Sequence, residues 1–495
     1  MEQIVEVIYA GRAGWSDEVV RKAFSDAIQA RYRNISDLTL RANAEKKFQL
    51  RVNSHTEDKA VPFAALVAPD QATSGPYGGM SLVVFPPDSD HENAPCLLAM
   101  VVGTHGLSPD DFVLGRPGHA RKCAAIAAWQ RATGGSPGAW AKQDPTRIDL
   151  KLPETVRRNL GAWTGATKSY DHVIYLVIPP PTDRNNDAMR DAVAALVDVF
   201  CEERGIEVRS DFRADANRLK DAWLGHLLRG VDASAVIDLL RSRRFAIVEG
   251  PPGTGKTRLA LEVLAAEPYA GRGGVIQFHP GTTYESFVGG LGPSADAAGS
   301  LTFRPLPGHL MRACEAARKD PTRRHLLVID EINRADLSKV LGEAIFLFEA
   351  DETSRTVALA HDFPGNGTQL QLPDNLDVLG TMNSADRSIA ILDVAVRRRF
   401  AFVSLHPQRS VVDQLAGQRM KDAFSALLGL FIEHAGPEAM SLMPGHAYFL
   451  ADDAHAEQRL DTQLRPLLEE YLAQGYVAGF ADEIRAYIDG LAARA

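Results

Sequence analysis

Two rhythms of apolar residues divide this chain, with the change between them near its middle. In residues 17–32, Val20, Phe24, Ala27 and Ile28 recur at helical spacing and predict an amphipathic helix. Residues 80–85 and 96–102 are apolar runs separated by a polar turn and predict two strands. Residues 120–130 read as a helix. Residues 172–178 are a buried-strand candidate closed by Pro179, Pro180 and Pro181, and residues 187–203 are helical again. The mixture predicts an α+β domain with a central, partly antiparallel sheet. Leu219, Trp223, Leu227 and Leu228 then recur at helical spacing within 213–230, and 233–241 is a shorter helix. Both are expected to pack beside the first strand of a second domain. That domain is marked by apolar runs at 245–248, 274–279, 324–329, 375–382 and 400–405, which predict the buried strands of an α/β sheet. Residues 406–495 are mostly helical; 423–433, 462–472 and 482–491 predict a small helical lid.

Composition narrows the class without naming a function. The chain has 495 residues, 45% hydrophobic and 24% charged, enough for two or three domains with sizeable cores. A net charge of −9 excludes an overall basic field for nucleic acid, though not a local basic site. The start, MEQIVEV, lacks the pattern of a secretion signal, and no apolar run approaches the roughly 18 residues that span a bilayer. Cys96, Cys123, Cys201 and Cys314 are scattered without metal-ligand spacing, which fits a reducing cytoplasm.

Chemistry concentrates after the change of rhythm. Following the 245–248 run and Glu249, residues Gly250, Pro251, Pro252, Gly253, Thr254, Gly255, Lys256 and Thr257 match the phosphate-binding pattern GxxxxGK[ST] in full. The glycines allow a concave nest whose backbone N–H groups face phosphate oxygens. Lys256 places a point charge near the β- and γ-phosphates, and the Thr257 hydroxyl is a Mg2+ ligand. Arg258 completes the nucleotide-binding set at the start of a helix whose N-terminus favours the same anion.

The 324–329 run ends in Asp330 and Glu331. Ends of parallel strands are where an α/β sheet presents side chains to its ligand. Asp330 is placed to hold Mg2+ through water, and Glu331 to orient and deprotonate the attacking water. The 375–382 run ends at Asn383, whose side chain is placed to bridge the γ-phosphate and that water. Arg397, Arg398 and Arg399 precede the fifth run. They form either a solvated edge or, as their position after Asn383 favours, a set that serves a neighbouring subunit's nucleotide, neutralising transition-state charge in trans. Arg465 is a further candidate contact from the lid, against an ordinary exposed helix arginine.

The first half offers less. Residues 74–79 form a flexible turn bearing Tyr77. Arg116, His119, Arg121 and Lys122 make either a phosphate-holding cluster or a solvated basic turn. Trp15, Trp129, Trp140 and Trp163 read as core.

The stretches GPPGTGKT, QFHPGTTYESFVGG, VIDEINRADLSKVLGE, LGTMNSADRSIAILDVAVRRRF and MPGHAYFL, in this order, resemble the McrB-type AAA+ proteins, the motor subunits of modification-dependent (type IV) restriction systems. The resemblance covers about residues 213–475. It implies a ring, usually hexameric, that hydrolyses GTP rather than ATP. It also implies a separate McrC-like nuclease subunit, activated by the ring and driven along DNA in anti-phage defence. By motif, Asn383 and Asp386 fall in the water-positioning segment, and Arg398 and Arg399 at the inter-subunit arginines. Ser384 stands where the family usually has Thr.

The expected architecture is therefore an AAA+ P-loop parallel sheet flanked by helices, with a C-terminal helical lid and a preceding α+β domain. The boundaries are 1–208 for a recognition or partner domain, 209–405 for the nucleotide core and 406–495 for the lid. DNA would be met through the first domain or through the partner. MoxR-like and dynein-related ATPases share much of this sheet, so an ATP-driven remodelling chaperone remains an alternative, and a nucleotide-gated binding protein with little turnover a third reading.

Overall fold

Gln49–Asn53 (β1), Phe63–Val67 (β2), Met80–Phe85 (β3), Leu97–Val102 (β4), Trp140–Ala141 (β5) and Ile174–Ile178 (β6) form one sheet in the order β1-β2-β3-β4-β6-β5. Every pairing in it is antiparallel, where a partly antiparallel sheet was expected. The computed structural model describes residues 1–32, 48–54, 61–72, 74–181, 183–295, 301–352, 354–365, 367–385 and 394–493. β3, β4 and β6 are buried along their whole length. One face carries a core of Val83, Phe85, Leu97, Ala99, Val101 and Trp163. Helices Pro117–Ala132 and Asn186–Glu202 pack on the sheet, the second also against Glu2–Ala10.

The chain divides into two compact units, Met1–Leu228 with Ile432–His434, and Arg229–Phe431 with Ala435–Ala495. The helix Arg213–Leu227 belongs to the first, which corrects the expectation that it packs beside the nucleotide sheet. Arg31, almost fully buried, ties it there: its guanidinium meets Asp198 at 2.6 Å and Asp215 at 2.7 Å. Arg218 adds a bond to Asp191 at 2.9 Å. The next helix, Ala233–Arg243, does pack on the second unit's sheet, with Val236, Ile237 and Leu240 in its core.

The second unit contains Phe245–Gly250 (β7), Gly273–Gln277 (β8), Gly289–Ala295 (β9), Leu301–Pro307 (β10), His325–Asp330 (β11), Val357–Phe363 (β12), Gly367–Leu370 (β13), Leu376–Asn383 (β14) and Ala401–Ser404 (β15). The five predicted strands form one parallel sheet, β15-β7-β14-β11-β8. Its α/β character, with helices on both sides, bears out the predicted fold class. Buried runs such as Phe245–Val248, each residue fully enclosed, follow from a sheet covered on both faces. Two antiparallel ribbons, β9–β10 and β12–β13, interrupt the alternation. The pattern does not announce them, because GGLGPSA in β9 is rich in residues that strands disfavour. The lid helices are Gln418–His434, Arg465–Ala473 and Ala481–Ala493. The rings of Phe424 and Phe449 pack edge-to-face at 5.1 Å within the lid.

Candidate active site

Three strands end at the same edge of the sheet. In register, Asn383 of β14 lies opposite Gly250 of β7, and Ile329 of β11 opposite Gly380. The phosphate-binding segment follows β7 and leads into the helix Lys256–Ala265. Gly253 and Gly255 have φ of 78° and 82°, the left-handed region that only glycine enters freely, and so curve the backbone into a nest. Thr254 Oγ1 donates to the Pro251 carbonyl at 2.9 Å, and so does Lys256 Nζ. Burial holds the Lys256 ammonium down to about 8, against the opposing pull of Glu331 and Asp330. An anionic phosphate beside it would favour the charged form and raise it again.

Thr257 lies at the helix start, and its Oγ1 donates to Asp330 Oδ1 at 2.9 Å. Two hard oxygen donors thus meet beside the phosphate nest, a fit for Mg2+, which takes few protein ligands and fills the rest with phosphate and water. Thr381 Oγ1 donates to the same Asp330 oxygen at 2.5 Å and accepts the Glu331 N–H at 3.1 Å. Glu331 itself has φ 54°, a left-handed backbone rare outside glycine. Its carboxylate meets Arg334 at 3.3 Å. Asn383 Oδ1 accepts from the Ala385 N–H at 3.1 Å. Ser384 N–H bonds the Gly250 carbonyl at 3.0 Å, so the segment after β14 is stitched to the start of the phosphate loop.

The remaining predicted residues lie apart. Arg258 is exposed and pairs with Glu262 at 2.8 Å. Arg398 and Arg399, on the helix Val394–Arg399, both reach Glu349, at 3.4 and 3.5 Å. Arg465 pairs with Asp461, four residues earlier in the chain, at 2.9 Å. Asp386 lies outside the described residues. Two members of the N-terminal basic cluster fit neither reading, while Arg116 and Arg121 are half-buried. His119 and Lys122 are buried, with His119 Nε2 3.0 Å from the Tyr175 hydroxyl and Lys122 3.0 Å from Glu203. Trp129 and Trp163 are core, as expected.

Sequence reasoning missed Thr381 and the lid segment 445–448. Thr381 had one signal: it precedes Asn383 by two on a strand, and so shares its face. The lid segment had none beyond its motif.

Residues 246–400 match the family model of the AAA domain, dynein-related subfamily. The EcoKMcrB subunit of the type IV methyl-directed restriction enzyme of Escherichia coli K12 is 29% identical over 276 residues, 51% of this chain and 59% of that protein. The YdiS component of the type II restriction enzyme BsuMI of Bacillus subtilis 168 is 28% identical over 207 residues, 34% of this chain and 60% of that protein. The chain thus spans about three-fifths of these relatives. The resemblance to the McrB-type AAA+ nucleoside triphosphatases is borne out. Among the described residues no helix is long and apolar enough to cross a membrane.

Proposed function

We propose that this AAA+ chain is the motor subunit of a cytoplasmic, modification-dependent restriction system. In this reading it hydrolyses GTP, with ATP the alternative, in a Mg2+-dependent reaction. It works as a homo-oligomeric ring, a hexamer, and couples turnover to movement along DNA and activation of a separate McrC-like nuclease subunit. The chemical half rests on one observation: Thr257, Asp330, Thr381 and Glu331 form a continuous hydrogen-bonded junction beside the phosphate nest. The restriction half is supported by two relatives that are both restriction-enzyme components. The first unit, Met1–Leu228, takes the recognition or partner role, and the second carries the nucleotide core, from Arg229 to about residue 405, followed by the lid.

The loop N–H groups cradle the phosphates, and Lys256 leaves the Pro251 carbonyl to meet them. Thr257 and Asp330 would hold Mg2+, which would supply positive charge against the phosphates. Glu331 orients the attacking water and accepts its proton, while the Asn383 amide steadies water and γ-phosphate. Asp386 acts with Asn383 in the water-positioning segment, and Arg398 and Arg399 leave Glu349 to act on the next subunit's nucleotide.

The dynein-related description of the matching model favours a second reading, an ATP-driven remodelling chaperone. Hydrolysis of GTP and ATP measured side by side, with and without DNA and an McrC-like nuclease subunit, separates the two. GTP turnover raised by the nuclease supports the restriction motor. ATP turnover indifferent to both additions favours remodelling, and negligible turnover of either nucleotide rejects both.

A further inference from the structure

The lid segment Gly445–Tyr448 is built into the phosphate loop. Gly445 N–H donates to the Pro252 carbonyl and Ala447 N–H to the Gly253 carbonyl, both at 2.9 Å. The approach is so close that a Cβ on Gly445 would stand 2.0 Å from the Gly253 carbonyl carbon. Within this segment His446 is fixed in orientation and tautomer. The Gln408 backbone N–H donates to its Nδ1 at 3.2 Å, so Nε2 carries the proton. Burial, with Arg258 adding, lowers its pKa and keeps the ring neutral. Among the described residues Nε2 has no hydrogen-bond partner. It lies 3.8 Å from where a Cβ on Gly255 would sit, at the mouth of the nest.

We propose that His446 is a nucleotide-binding residue whose Nε2–H donates to an α- or β-phosphate oxygen of the bound nucleotide. The inference rests on the nucleotide reading above. The backbone beside Gly255 cradles the α- and β-phosphates, whereas Lys256 reaches the β- and γ-phosphates. The contact is therefore the same in the triphosphate and in the diphosphate product, and it ties product retention to the lid.

The test is binding of fluorescent guanosine and adenosine di- and triphosphates to the full chain and to Lys256→Ala, His446→Ala and His446→Gln. His446→Ala is expected to weaken di- and triphosphate binding equally, by about tenfold, the scale of one lost hydrogen bond to a charged group. His446→Gln, whose amide supplies a donor near the Nε2 position, is expected to recover most of that affinity. Thermal melting without nucleotide should leave both His446 variants close to the parent. Parent-like affinity in a folded His446→Ala overturns the inference, as does a loss confined to the triphosphate. A parent chain that binds no better than Lys256→Ala overturns the nucleotide reading itself, whatever His446 does.

Discussion

Thr381 Oγ1 stands 2.5 Å from Asp330 Oδ1 and receives the Glu331 N–H at 3.1 Å. One hydroxyl from β14 thereby fixes two consecutive residues at the end of β11. Holding Glu331 in the left-handed region costs about 1–2 kcal/mol, and the Thr381 bond offsets part of that. Thr381→Val keeps the shape and removes both bonds. It is expected to lower kcat by about 10–100-fold, from about 1.5–3 kcal/mol per bond to a charged group. Thr381→Ser should retain most turnover, and fluorescent-nucleotide affinity should change little in either variant. A Val variant with the parent kcat would remove Thr381 from this positioning role.

Glu331→Gln retains volume and the backbone bond to Thr381 but loses the basic carboxylate. Nucleotide binding should persist while turnover falls by about two to four orders of magnitude, the usual contribution of a general base. Single-turnover hydrolysis checks this, and near-parental turnover would assign the proton to another group.

Arg398 and Arg399 lie on Glu349 within their own chain. If they complete a neighbour's site, total activity rises more than linearly with protein concentration below the assembly midpoint. Mixing Arg398→Ala/Arg399→Ala protein with Glu331→Gln protein should restore part of the activity, since some interfaces then pair an intact Glu331 with intact arginines. Co-assembly without any recovery, at every ratio, would defeat the trans arrangement.

A pH-dependent stability is expected of the first unit. Burial opposes charge on His119, but Cys123 and Glu203 outweigh it and raise the imidazole from 6.5 to about 9. Burial likewise opposes the charge on Glu203, and His119 with Lys122 carries it from 4.5 down to about 2. The stabilisation from His119 is full below pH 6.5 and is lost as pH rises through about 9. That from Glu203 is full above pH 4.5 and is lost as pH falls through about 2. All five tryptophans lie within Met1–Leu228, so their fluorescence reports this unit. Its melting temperature should plateau between pH 4.5 and 6.5 and fall toward pH 9, and His119→Gln should flatten the alkaline decline. A parental alkaline decline in that variant would place the titrating group elsewhere.

The sequence alone was enough for whatever depends on neighbours in the chain. An apolar run followed by GPPGTGKT dictates strand, nest and helix, because backbone sterics and local hydrogen bonds act over a few residues. The five core strands and the acids at the end of β11 were legible for the same reason. Tertiary structure decided what meets across long separations. Only the parallel register of β14 on β11 brings Thr381 to Asp330, and only the docking of the lid brings His446 to Gly255. The same packing turned His119 and Lys122 inward from what looked like a basic surface turn, where Glu203 stabilises their charges. It also carried the helix Arg213–Leu227 to the first unit through Arg31, a residue far back in the chain. Such pairings leave no periodic trace in the sequence, because a partner's distance along the chain is set by how elements pack, not by the repeat of a helix or strand.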